Sequence, residues 1–130
     1  MSTIRRQISI STNPRSVWNA LTTPEGLGRW LGEARVDPRA GGRITVRMAG
    51  DEEGGFLHVF RPTAKLEVNW DRGPWKGTFT QFSVARDGDE TVVNVQHAGT
   101  AFEDDAVRAP ADELWRKALT SLRDGLETGR

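Results

Sequence analysis

A chain of 130 residues is the size of one ordinary domain, large enough to enclose a single hydrophobic core and short for two, so one domain is expected over 1–130. Lysine plus arginine number 18 and aspartate plus glutamate also 18, which leaves no net field to gather phosphate backbones or anionic lipid heads, and neither nucleic acid nor a membrane is an expected partner. The absence of cysteine excludes disulfides, thiolate nucleophiles and thiolate metal sites, and is compatible with a reducing compartment.

From Met1 to Ile10 polar and apolar residues alternate where a secretory signal would need a continuous apolar core. Charges or glycines interrupt every later apolar run well short of a bilayer-crossing length. A soluble, cytoplasmic protein is therefore expected. Ile4, Ile8 and Ile10 share one parity, the period of a half-buried strand over Thr3 to Ser11. Asn13-Pro14 then supplies a capping side chain and a proline suited to the first helical position, and Val17, Trp18 and Leu21 give a short helix to Thr22 its apolar stripe. Thr23-Pro24-Glu25 repeats that grammar for a second short helix carrying Leu27, Trp30 and Leu31.

Between Ala34 and Gly99 the period becomes two, with breaks at Asp37 to Gly42, Gly50 to Gly55, Pro62-Thr63, Asp71 to Pro74 and Asp87-Gly88. That spacing describes a meander of antiparallel hairpins. One face collects Ile44, Val46 and Met48, then Leu66, Val68 and Trp70, then Thr78, Thr80, Phe82 and Val84, then Thr91, Val93, Val95 and His97. Phe56 to Phe60 is apolar at both parities, so periodicity assigns it no inward face. After Gly99, Leu114, Trp115, Ala118, Leu119, Leu122 and Leu126 form a helical stripe on a long final helix expected to end near Gly129. Pro110 marks either its first turn or a kink in a helix that begins earlier, near Glu103.

A strand, two short helices, a six-stranded meander and a long C-terminal helix together resemble the α+β helix-grip fold of the START-like superfamily, which includes polyketide cyclases and pollen allergens. Several stretches of sequence narrow this further. Pro14, Val17-Trp18, Leu21, Thr22-Thr23-Pro24-Glu25 and Trp30 are similar to the opening of the family named for the activator of the heat-shock-protein-90 ATPase. Gly41-Gly42, Gly55, Pro62, Leu66 with Trp70, His97-Ala98-Gly99, and Trp115 with Leu119 and Leu122 continue the likeness in the family's order over nearly the whole chain. The resemblance implies a curved antiparallel sheet of about seven strands around the final helix, and a hydrophobic cavity between the two. The eukaryotic co-chaperone has a further N-terminal domain, whereas this chain opens at the first strand, which weighs against a chaperone as its partner.

On this reading the occupant of the cavity is a small hydrophobic or aromatic molecule. Inward parity places Trp70, Phe82, Val95 and His97 on the sheet wall and Trp115 and Leu119 on the helix wall, with Trp30 near the mouth. His97 is either a ligand-orienting or proton-exchanging group, as in a cyclase or dehydratase, or a structural histidine bonded to a neighbour at the strand end. The tryptophans line a pocket or fill a core. His58 and His97 lack a third ligand at metal-site spacing, so no metal and no other cofactor is expected. Gly26 to Gly32 departs from the dinucleotide fingerprint in glycine spacing and follows a helix. Gly41-Gly42 suits a turn of positive φ, and Asp51-Glu52-Glu53 and Glu103-Asp104-Asp105 read as solvated charge. A homodimer is left open.

Overall fold

The computed structural model describes residues 3–128. Its elements run β1 (Thr3–Ile10), α1 (Pro14–Thr22), α2 (Pro24–Trp30), β2 (Glu33–Val36), β3 (Arg43–Met48), β4 (Asp51–Arg61), β5 (Lys65–Arg72), β6 (Phe79–Asp87), β7 (Glu90–Ala98), a 3-10 turn at Thr100–Glu103 and α3 (Asp105–Glu127). The strands form one seven-stranded sheet in the order β1-β7-β6-β5-β4-β3-β2, antiparallel at every step. The two short helices carry the chain from one sheet edge to the other, and the meander walks back. This is the expected helix-grip fold.

The caps at Asn13 and Thr23 form as the residues suggest, and Asp104, read from the sequence as solvated charge, is a third. Asn13 Oδ1 accepts from the Ser16 N–H at 2.9 Å, Thr23 Oγ1 from Gly26 N–H at 2.9 Å and Asp104 Oδ1 from Ala106 N–H at 2.9 Å, each satisfying an orphan donor of a first turn. Helix α3 starts at Asp105 and Pro110 lies inside it, so the earlier of the two expected starts is the observed one. The last described helical residue is Glu127, and Gly129 lies outside the described residues. Two polar contacts tie α3 along β1: Arg6 makes a bidentate pair with Asp112 at 2.8 and 3.1 Å, and the Ser11 N–H donates to Glu127 Oε2 at 2.9 Å. Helix and edge strand therefore run in the same direction.

The expected break at Gly50 to Gly55 is corrected. Only Ala49 and Gly50 turn, with φ of +52° and +88°, the left-handed pair that a tight two-residue hairpin requires; Asp51 onward is already β4. The glycines serve the strand instead, because a Cβ on Gly55 would lie 2.3 Å from the Asn69 carbonyl oxygen of β5. Register shifts at Gly54/Gly55 and at Leu57/Val59 explain why Phe56 to Phe60 shows both parities: a bulge interrupts the alternation. Leu57 is buried, and Phe60 packs on Trp18 with ring centroids 5.6 Å apart.

Candidate functional site

The inward residues expected to line a cavity meet under α3, where they pack against one another. Trp115 is fully enclosed; its ring stacks on Trp75 at 5.6 Å and 24°, and meets Phe82 at 5.6 Å and Trp30 at 6.5 Å. Trp70 joins through Trp75 at 5.4 Å, and Val95 and Leu119 are buried in the same core. The polar handles are satisfied: Trp70 Nε1 donates to Thr80 Oγ1 at 2.9 Å and Trp30 Nε1 to the Ala20 carbonyl at 2.8 Å, as buried indole N–H groups require.

His97 sits at the centre of this packing with no exposed surface. Trp115 Nε1 donates to its Nδ1 at 3.0 Å, which leaves the ring proton on Nε2 to be donated to Thr78 Oγ1 at 2.8 Å. Thr78 in turn donates to the Trp75 carbonyl at 2.6 Å. Both ring nitrogens are thus used, and burial pushes the imidazole pKa down to about 3, so the neutral form is held throughout the physiological range. The bonded, structural arrangement is the one observed. The chain of bonds pins α3 to the segment after β5, where Gly73, Pro74 and Trp75 fold back under the helix.

Open space lies beside this packed cluster. A groove of about 680 Å³ runs along the N-terminal half of α3, bounded by Val107, Pro110, Leu114 and Ala118, by the β3–β4 hairpin from Met48 to Glu53, and by Pro74 and Trp75, with Trp30 and Leu31 at one end. Of the residues expected to bind a ligand, Trp30 borders this groove; Trp70, Phe82, Val95, His97, Trp115 and Leu119 stand behind it. A smaller cleft of about 270 Å³ separates α1 and α2 from the C-terminal half of α3. Its walls are mostly small or polar, including Ser16, Asn19, Thr23, Gly26, Arg29 and Ser121, so the larger groove is the better candidate for an apolar molecule.

Glu53 was expected in solvent, and this is corrected: it is 3% exposed. Hairpin geometry decides the matter. With Ala49 and Gly50 as the turn, Glu53 pairs with Val46 and Asp51 with Met48, and cross-strand partners point to the same face. Val46 and Met48 face the core, so Glu53 does too. Its Oε1 accepts the Trp75 N–H at 2.8 Å. Burial pushes the carboxyl pKa up, the Trp75 bond pulls it back, and the neighbouring charge of Asp51 pushes it up further. Gly73, at φ +97°, makes room, since a Cβ there would lie 2.4 Å from the Glu52 carbonyl and 2.7 Å from Glu53 Oε1. Strand parity alone misses Trp75 and Glu53; for Glu53 the available signal was a two-residue turn at Ala49-Gly50, which sets it opposite Val46. Among the described residues, no three His, Cys, Asp or Glu side chains gather as a metal-binding group, and no helix is long and apolar enough to cross a membrane.

Residues 11–127 match the family model described as Activator of Hsp90 ATPase homolog 1-like protein. Among solved structures, the chain is similar to the Aha1 dimer from Colwellia psychrerythraea, at 26% identity and TM-score 0.86 over 100% of this chain and 99% of that one. Protein MLL2253 from Mesorhizobium loti shares the fold at 19% identity and TM-score 0.85, with 98% of each chain covered. So does DynU16, a protein of the dynemicin biosynthetic locus, at 19% identity and TM-score 0.88, where the chain is covered completely but spans 49% of its counterpart. No curated protein matches in sequence.

Proposed function

Since the chain belongs to the Activator of Hsp90 ATPase homolog 1-like family and has open space beside its gripping helix, we propose that it binds a small hydrophobic or aromatic molecule in the groove between α3, the β3–β4 hairpin and the Pro74-Trp75 segment. The observation that carries this is the groove itself: about 680 Å³ bordered by Trp30, Trp75, Leu31, Met48 and Leu114, a concave and largely apolar wall with few polar groups. The aromatic cluster behind it acts as a rigid backing, held by the bonds through His97 and Thr78. The likeness to a protein from a biosynthetic locus is in keeping with a small-molecule partner. An enzymatic reading through His97 has no support in the geometry, because an acid or base must exchange a proton with substrate and both ring nitrogens are engaged in the core.

The test is titration of the neutral apolar dye N-phenyl-1-naphthylamine, followed by dye fluorescence and by intrinsic tryptophan emission, since Trp30 and Trp75 border the site. The expected result is one saturable site per chain. Leu114→Trp, which places a large ring into the groove from α3, should weaken binding by about tenfold or more. Absence of saturable binding, or equal affinity in Leu114→Trp, refutes the proposal.

A further inference from the structure

The polar groups of the groove are not evenly distributed in charge. Asp51, Glu53, Glu113 and Lys117 border it. The lysine lies on α3 and leans 3.9 Å from Glu113, which is also held by Arg116 at 2.8 and 2.5 Å; on that wall Lys117 and Arg116 share the one carboxylate. On the opposite wall Asp51 and Glu53 project from the inward face of the β3–β4 hairpin, paired with Met48 and Val46. Neither makes an ion pair among the described residues. Arg72 engages Glu52 at 3.7 Å, and Arg47 is the cross-strand partner of Glu52, both on the other face of the hairpin.

We infer that the groove takes an apolar or aromatic molecule carrying a protonated amine, its ring lying against Trp75 and Trp30 and its ammonium group directed at Glu53 and Asp51. This rests on the binding role proposed above and narrows its ligand class. Three features of the site converge on a cation. A carboxylate that is nearly enclosed gains more from a partner of opposite charge than an exposed one does, because water screens the pair less. An ammonium donates hydrogen bonds, and Glu53 in its ionised form only accepts them; among the described residues its one donor is the Trp75 N–H. The faces of tryptophan rings attract cations and repel anions. Burial and the charge of Asp51 both disfavour the ionised Glu53, and a docked ammonium offsets both. Fatty acids and other apolar anions would meet the same two carboxylates, while the cation of the facing wall, Lys117, already lies beside Glu113, and they are disfavoured.

The experiment uses three probes of one shape: 1-naphthylmethylamine, 1-naphthalenemethanol and 1-naphthaleneacetate, measured at neutral pH by competition against N-phenyl-1-naphthylamine. The wild-type protein is expected to bind the amine about tenfold more tightly than the alcohol, and the acetate more weakly still. Glu53→Gln should bring the amine-to-alcohol ratio close to one. Asp51→Asn, at an exposed position that tolerates substitution, should lower it by about threefold and serves as the test if Glu53→Gln does not fold. Equal binding of all three probes by wild type, or a parallel loss of amine and alcohol affinity in both variants, overturns the inference while leaving the groove as a binding site. If none of the probes nor the dye binds, the binding role fails and this inference with it.

Discussion

Lowering the pH should destabilise the protein through His97, and the structure sets the size of the effect. The ring is enclosed, with Nδ1 accepting from Trp115 at 3.0 Å and Nε2 donating to Thr78 at 2.8 Å. Protonating Nδ1 would set two N–H groups against one another with no water to intervene. In the folded chain the pKa falls from its ordinary value of 6.5 to about 3 through burial, while the unfolded chain protonates at the ordinary value. The unfolded state therefore binds the additional proton first, and stability must fall as pH drops below about 6.5 and continue to fall until about 3. Two-state linkage puts the loss at ~2 kcal/mol by pH 5 and ~3 kcal/mol by pH 4 relative to neutral pH. Because other groups titrate too, the informative quantity is a difference between proteins. His97→Gln keeps an acceptor and a donor in the pocket but does not titrate. Urea denaturation of both proteins between pH 7.5 and 4 should show the variant less stable at neutral pH, with the gap closing by about 2 kcal/mol towards pH 5. A gap that stays constant across that interval would refute the buried, neutral histidine.

Trp115→Ala should cost about 3–5 kcal/mol in the same denaturation assay, at the large end for a core truncation, because the ring is fully enclosed and its loss also strands His97 Nδ1; a loss near 1 kcal/mol would mean that the space beside it is already open. The Arg6–Asp112 pair is bidentate but about one-third exposed on both sides, so a double-mutant cycle with Arg6→Ala and Asp112→Ala should return a coupling of only about 0.5–1 kcal/mol that shrinks in high salt.

The groove differs from the expected cavity for a reason of volume. Parity and helical spacing correctly placed Trp70, Phe82, Val95, His97, Trp115 and Leu119 facing one another, but facing residues can either border a void or fill it. The difference is set by Trp75, which sits in the turn after β5, where neither period applies, and whose ring folds back onto Trp115. That one ring closes the centre and moves the open space towards the N-terminal half of α3. Glu53 shows the same limit in charge: three consecutive acidic residues read as solvated until the hairpin register turns the third inward, and the donor that makes its burial tolerable comes from Trp75, 22 residues further on.

What the amino-acid order determines by itself is local. Asn13, Thr23 and Asp104 cap their helices because side chain and orphan N–H lie within three residues of each other, and alternation sets strand faces because the backbone repeats every second residue. Together with the order of the elements, these carry the resemblance that implies the helix-grip fold. Only the tertiary structure decides where space is left and which polar groups border it, since both depend on how rings and carboxylates from β4, the β5–β6 turn, β7 and α3 share one volume, and close packing makes that a property of all of them at once.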